Sequence, residues 1–309
     1  MKHRSYQLLM SIVEGSKHVG LRSPYKLVRA FRHYKYLFAS QIANKLIKHV
    51  NVEDLEPNIR NSDGEFITAS LTTFPARVKV VRYAIISILL QTRRPDRVIL
   101  WLAEEQFPDK QIPGNLRDLC KYGLEVHFCD DLRSHKKYYY ALIQQKSNEL
   151  VITFDDDIIY HPHTIERLVN KHKEQPNFII CSQVHIITYD ERGGFNPYHK
   201  WDTASDGMDE ASDHYMPLTG SGCLYPYGSL PIDAFNKKNI CSMALTTDDL
   251  WIGVMAKVNG TKICPPSIVS RQFSVVKESQ LQNLSQVNCI EDGNDTTMKR
   301  LQKEYKLFI

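Results

Sequence analysis

Between residues 66 and 188, short apolar runs alternate with stretches of helical period. Residues 66–71, 97–102, 124–128 and 150–154 are runs of strand length rich in Ile, Val, Leu and Phe, and 178–188 reads as a longer fifth strand. Between them, 76–90, 114–122, 136–145 and 162–173 read as helices, the second closed by Gly123. The connections are short. This alternation predicts βαβ units, hence a mostly parallel central sheet with helices on both faces. The strand runs are continuously apolar, as expected of strands covered on both sides.

Two regions depart from this texture. Residues 190–216 are polar and carry Gly and aromatic residues. They are far too long for an ordinary connector, which predicts a functional or mobile segment. A helix is predicted again over 245–258. Ahead of the alternation, Leu27, Phe31, Tyr34, Phe38, Ile42 and Leu46 recur every three or four residues, with Ser23 suited to cap and Pro24 to the first helical position. Lys26, Arg29, Arg32, Lys35, Lys45 and Lys48 lie mostly off that stripe. Two readings of this amphipathic arm stay open: a helix packed on the body, or one lying on a membrane and attracted to anionic lipid through 24–49. The polar, turn-rich stretch 51–64 reads as a linker. The expected organisation is an arm and linker at 1–64, a main domain at 65–275 with halves 65–160 and 161–275, and a tail with a helix at 276–309.

Composition changes this picture in two ways. Residues 1–50 hold ten Lys or Arg and one acid, Glu14, a net charge of +9; the whole chain is +4, so the remainder is −5. The body is therefore mildly acidic and has no second basic stretch, which argues against a nucleic-acid partner. The seven cysteines include no C-x-x-C pair, which suits reduced thiols in a cytosolic compartment. No apolar run reaches the roughly 18 residues of a spanning helix. The first fifteen residues lack the apolar region and cleavage site of a signal peptide. N-x-S/T matches at Asn259, Asn283 and Asn294 carry no weight without a secretion signal.

The candidate chemistry lies at the strand ends. Asp155, Asp156 and Asp157 follow the run 150–154, Thr72, Thr73 and Phe74 follow the first strand, and Asp130 and Asp131 follow the third. In open α/β sheets ligands bind outside these carboxyl ends. In an extended segment Asp155 and Asp157 share a face and Asp156 turns away. Two carboxylates without a Cys or His pattern suit a hard cation, Mg2+ or Mn2+, whose shell is completed by water and substrate phosphates. Arg77, Lys136 and Lys137 supply donors for phosphate. His161 and His163 read as capping or solvated groups. The plain alternative is a solvated acidic turn with surface charges around it.

These segments, S-L-T-T-F-P-A-R at 70–77, D-L-R-S-H-K-K at 131–137 and T-F-D-D-D-I-I-Y at 153–160, resemble those of GT-A-fold, family 2-like glycosyltransferases. More narrowly, the chain is similar to bacterial capsule and surface-polysaccharide transferases, including the N-acetylglucosaminyltransferase of heparosan-type capsules. Gly220-Ser221-Gly222 matches a later loop of those enzymes, and Asp248 lies sixteen residues before Cys264. The resemblance covers about 66–270. It implies a GT-A, Rossmann-like fold whose first half binds a nucleotide-sugar and whose second half binds the acceptor.

By the same resemblance, Asp157 ligates the metal directly, and Asp155 contacts the ribose or reaches the metal through water. Asp156, Thr72, Thr73, Phe74 and Arg77 belong to the nucleotide pocket, Asp131 to the base and Lys137 to the diphosphate. Gly220, Ser221, Gly222 and Trp201 belong to the donor sugar or acceptor. Asp248 and Asp249 are the catalytic candidates. They are either acids tolerated in a helical first turn or, as in inverting relatives, the site of a general base; retaining relatives need none. The third metal ligand, often a late His, has no match after His214, which leaves Asp292 or Asp295.

The implied activity is metal-dependent transfer of a sugar, more readily from a UDP-sugar than a GDP-sugar, to a glycan or lipid-linked glycan in surface-polysaccharide synthesis. The implied location is cytoplasmic, at the inner face of the plasma membrane. Two alternatives remain: a sugar nucleotidyltransferase, which needs a Gly-rich loop where this chain has T-T-F-P-A-R, and a non-catalytic carbohydrate-binding relative.

Overall fold

The computed structural model describes residues 3–15, 26–55, 64–191, 194–203, 208, 210–267, 274–281 and 293–307. The first half runs α1 (His3–Gly15), α2 (Lys26–Lys48), β1 (Phe66–Thr72), α3 (Val81–Leu89), β2 (Arg97–Ala103), β3 (Leu124–Cys129), α4 (Lys136–Ile143), β4 (Glu149–Phe154), β5 (Ile158–Ile159) and α5 (Thr164–Glu174). The second runs β6 (Ile179–Cys181), β7 (Val184–Ile186), β8 (Asp202–Thr203), β9 (Tyr215–Pro217), β10 (Ser221–Tyr225), α6 (Lys237–Asn239), α7 (Asp248–Val258), β11 (Ile263–Cys264), β12 (Ser274–Val275) and α8 (Gly293–Tyr305).

The central sheet has seven strands in the order β11-β6-β10-β4-β1-β2-β3. All its pairings are parallel except those of β10, which runs antiparallel to both β4 and β6. This is the Rossmann-like, mostly parallel α/β architecture that the alternation of runs predicts. The chain adds β2 and β3 on one side of β1, then returns to place β4 on the other. That reversal opens a crevice at the carboxyl ends of β1 and β4, where open sheets bind ligands.

The continuous apolar runs are explained by two cores. In β2, Val98, Leu100 and Leu102 point into one core with α3 and α5, while Ile99 and Trp101 point into the other with α4 and α7. Polar residues on the α4 side are satisfied internally: the Ser70 hydroxyl donates to Lys137 O at 2.5 Å and accepts from Trp101 Nε1–H at 2.9 Å.

Several elements differ from the expectation. The run 178–188 is broken into β6, which stays in the main sheet, and β7, which joins β8 and β9 in a separate three-stranded sheet. The register shifts between Ser221 and Cys223 on the neighbouring β10, and Gly222 has φ +92°. A bulge of this kind bends the local pairing, and β6 ends beside it. Part of the stretch expected to be irregular is thus ordered as β8, β9 and a bridge from Tyr189 to Phe195. The helix expected at 76–90 starts late, because Pro75–Arg77 forms a separate tight turn.

The arm is packed against the body. Tyr6 and Met10 of α1 and Ala43 and Ile47 of α2 sit in the first core. Asn44 donates to Val275 O at 2.9 Å and accepts from Lys277 N–H at 3.0 Å. Ser23 and Pro24 lie outside the described residues. Among the described residues, no helix is long and apolar enough to cross a membrane, and the six described cysteines are free.

Candidate active site

The loop after β1 is clamped to the turn after β4. Thr73 Oγ1–H donates to Asp156 Oδ2 at 2.6 Å, and Arg77 Nη1 donates to Asp156 Oδ1 and pairs with Asp157 Oδ2, both at 2.9 Å. The Arg77 guanidinium lies 5.6 Å from the Phe74 ring centre. The Thr72 hydroxyl is committed to Trp101 O at 2.8 Å. Asp155–Asp157 form a turn rather than an extended run, and the expected pairing of Asp155 with Asp157 on one face is not seen: Arg77 bridges Asp156 and Asp157, which are 7% and 16% exposed, while Asp155, 43% exposed, meets Lys137. Asp156 and Asp157 both join the clamp through Arg77, and Asp155 is the most exposed of the three.

A second set of contacts joins this turn to α7. Lys137, on the first turn of α4, is 3% exposed; its ammonium lies 2.7 Å from Asp155 Oδ1 and 2.9 Å from Asp248 Oδ2. Thr219 Oγ1 reaches Asp248 Oδ2 at 2.7 Å and Asp249 Oδ1 at 2.6 Å, and its N–H donates to Asp249 Oδ1 at 2.7 Å. A hydroxyl has one hydrogen to give. Both of its contacts are favourable when one of the two carboxyls carries a proton. Behind Asp155, Gly220 O accepts from Asp155 N–H at 3.2 Å and from Tyr160 Oη–H at 2.5 Å. A Cβ on Gly220 would lie 1.8 Å from Asp155 Oδ2, so only glycine lets this backbone approach so closely.

The electrostatics follow from the count. Asp155, Asp156, Asp157, Asp248 and Asp249 line the pocket with four cations, Arg77, Arg133, Lys136 and Lys137, leaving one negative charge in excess when all are ionised, and only Arg77 and Lys137 pair with these five. Burial, then the Asp155 charge, pushes Asp157 up to about 6 despite Arg77. Burial, then Asp248, pushes Asp249 up to about 7. Burial also raises Asp248, but Lys137, then His135, override it and hold that carboxyl well below its usual range. Burial lowers Lys137, and Asp155 and Asp248 more than reverse it, so the ammonium stays charged.

These groups line one pocket of about 430 Å3. Its β1 side carries Thr72, Thr73, Phe74 and Arg77; its floor carries Lys137 and Asp155–Asp157; its far side carries Asp248 and Asp249. Asp131 stands behind the wall. It accepts from Lys136 Nζ at 2.6 Å, Arg133 N–H at 2.9 Å and Gln106 at 3.0 Å, and its three partners line the pocket. Asp130 instead pairs with Lys237 at 2.5 Å.

Four expected residues do not face the pocket as the resemblance implied. Gly220 backs Asp155. Ser221 is buried, and its Oγ accepts Gln183 N–H at 3.1 Å. Gly222 is wedged against Thr164 and Ser182. Trp201 is 7% exposed, with Nε1–H donating to Asn196 O at 2.8 Å, so its faces are used in packing. His163 pairs with Glu166 at 2.7 Å, and neither it nor His161 lines the pocket. Asp295 accepts Tyr198 N–H at 2.8 Å; Asp292 lies outside the described residues.

Thr219, Tyr198 and Asn294 are not among the site residues expected from the sequence, where Asn294 stands only in an N-x-S/T match. Only Thr219 had a local signal, as the polar residue directly before the Gly-Ser-Gly loop. Among the described residues no three His, Cys, Asp or Glu side chains form a ready-made metal cage. Asp155 and Asp157, with the carboxylate excess around them, nevertheless suit a hard cation that takes its other ligands from water and a bound phosphate.

No family model matches the chain, and no curated protein matches it. Among solved structures, a 4-diphosphocytidyl-2C-methyl-D-erythritol synthase from Anaerococcus prevotii has a TM-score of 0.41 at 13% identity, over 72% of this chain and 100% of that one. Another structure of the same description has a TM-score of 0.39 at 9% identity, over 68% of this chain and 94% of that one. At these values the likeness says nothing about the chemistry of this pocket.

Proposed function

We propose that the chain is a metal-dependent transferase that moves a sugar from a nucleoside-diphosphate sugar to a hydroxyl of a glycan or lipid-linked glycan. One observation carries this reading. The aspartate turn, Arg77, Lys137 and the Asp248–Asp249 pair meet in one pocket at the carboxyl ends of β1 and β4, with more carboxylates than cations. Asp155 and Asp157 would hold Mn2+ or Mg2+, which when bound neutralises charge on the departing diphosphate. Thr73, Phe74 and Arg77 bound the nucleotide side. Lys137 keeps Asp155 oriented and adds positive charge beneath the leaving group. Asp249 accepts the proton of the acceptor hydroxyl. The acceptor oxygen then bonds to the anomeric carbon, and the bond from that carbon to the diphosphate oxygen breaks, its electron pair leaving with the nucleoside diphosphate.

A second reading is nucleotidyl transfer onto a sugar phosphate, with pyrophosphate as product. Four cations lining the pocket, Arg77, Arg133, Lys136 and Lys137, favour it. Against it, each of the four is already paired with a carboxylate, and Pro75 offers no N–H to a triphosphate in the loop after β1. Product analysis separates the two. Incubation with a panel of UDP- and GDP-sugars and Mn2+ is expected to release nucleoside diphosphate, at a rate that rises with pH through about 7 as Asp249 ionises. Pyrophosphate from a nucleoside triphosphate and a sugar phosphate would establish the second reading instead.

We also place the protein at an anionic membrane surface on its cytoplasmic side. Leu8 of α1 and Phe38 of α2 are 65% and 67% exposed, and Leu9, Tyr34 and Leu37 are exposed near them in sequence. The opposite face of α2, Ala39, Ala43 and Ile47, is buried on the body. The face that packs on the body is thus not the stripe read from the sequence, and we read the exposure of Tyr34 and Phe38 of that stripe, with the +9 charge of residues 1–50, as favouring acidic lipid. Co-sedimentation with phosphatidylglycerol vesicles is expected, and the L8S/F38S double variant should lose it while still binding nucleotide. Equal recovery with phosphatidylcholine, or none with either, would remove this assignment.

A further inference from the structure

One wall of the pocket is an aromatic ring, Tyr198. It arrives from the small sheet β8-β7-β9, which continues from β6, on the β10–β6 side of β4. The loops of β1 and β3, which bound the proposed nucleotide side, lie on the other side of β4. Three segments fix the ring. Its backbone N–H donates to Asp295 Oδ1 of α8 at 2.8 Å. The His185 ring of β7 lies at 5.2 Å and 47°, and the Trp201 ring at 4.9 Å and 47°, between ring centres. Trp201 is itself held by its bond to Asn196 O. Asp248, Asp249 and the buried Asn294 line the same pocket.

We propose that Tyr198 is the platform of an acceptor subsite for an uncharged pyranose ring; this rests on the glycosyl-transfer reading above. A pyranose has a face of C–H groups and a rim of hydroxyls. An aromatic ring suits the first, and carboxylates and an amide suit the second. Tyr198 shares its pocket with Asp249, the proton acceptor, and its segment lies on the side of β4 opposite the β1 loop that receives the nucleotide. The carboxylates of that pocket disfavour an acidic sugar. Pre-organisation by His185, Trp201 and Asp295 lowers the ordering cost of binding.

The test uses the full chain with UDP and Mg2+ and saturation-transfer NMR. The probes are methyl β-glucopyranoside, methyl β-galactopyranoside and methyl β-glucuronide. A neutral glycoside is expected to receive saturation on the C–H protons of one ring face, with the glucuronide weaker. Tyr198→Ala should weaken that glycoside roughly five- to tenfold, and Tyr198→Phe should keep it within about twofold. Calorimetric UDP binding should stay unchanged in both variants, which shows that the pocket is folded. The same epitope and affinity in Tyr198→Ala, or no contact with either neutral glycoside, would overturn the subsite. Failure of the unaltered chain to bind UDP would instead strike the nucleotide-sugar reading.

Discussion

Replacing Lys137 with alanine is expected to destabilise the protein by about 3–5 kcal/mol and to abolish nucleotide binding. The ammonium is 3% exposed and is shared by Asp155 and Asp248. Its removal leaves two carboxylates in a setting that already holds an excess of negative charge. The cost falls mainly on Asp248, 11% exposed, which loses its cation where little water reaches it, whereas Asp155 at 43% exposed is hydrated. Combining K137A with D248N should recover part of the loss, since it removes one of the stranded charges. Urea unfolding of the unaltered chain and these two variants measures this. A loss below about 1 kcal/mol, the range of exposed pairs, would mean that water reaches these groups.

Gly220→Ala should act on binding more than on stability. Its Cβ would lie 1.8 Å from Asp155 Oδ2 and 1.9 Å from Cγ, so the carboxylate must leave its position and its contact with Lys137. Displacing a group that orients a metal ligand costs about 10–100-fold in affinity, and a loss of that size is expected in metal-dependent UDP binding. Gly222→Ala provides the contrast. Gly222 has φ +92°, and its added Cβ would meet Thr164 Cγ2 at 3.1 Å, not a pocket residue. Strain of about 1–2 kcal/mol should appear there as lost stability, with UDP affinity retained. Equal UDP affinity in Gly220→Ala and the unaltered chain would show that Asp155 does not take part in binding.

The alternation of apolar runs was enough to read the sheet and its covered faces, because continuous apolar runs of strand length and helical periods are local. The break between β6 and β7 falls at Ser182-Gln183, a polar pair inside 178–188 that the reading of one long strand passed over, and the register shift beside it lies on another strand, at Gly222. The helix α1 was hidden in a stretch too short and mixed to stand out, although Tyr6 and Met10 have the four-residue spacing of its buried face.

The strand-end acids of the site were legible by position, but their division of labour was not. Asp156 becomes a clamp only because Thr73 and Arg77, about eighty residues earlier, turn into it. Lys137 bridges two carboxylates that no spacing connects. Among the aromatic residues of 190–216, residue type favoured Trp201 as the exposed sugar platform. The larger ring was buried and the smaller one, Tyr198, was left at the pocket, held there by a helix 97 positions away. Such pairings are set by tertiary contacts, and a single sequence does not display them.

The most direct measurement is calorimetric titration of the purified chain with UDP, with and without Mn2+, beside Asp157→Ala. The expected result is binding that requires both the metal and Asp157. Absence of binding to UDP and to GDP with Mn2+ present would contradict a nucleotide-sugar site here and leave the three aspartates as an acidic turn.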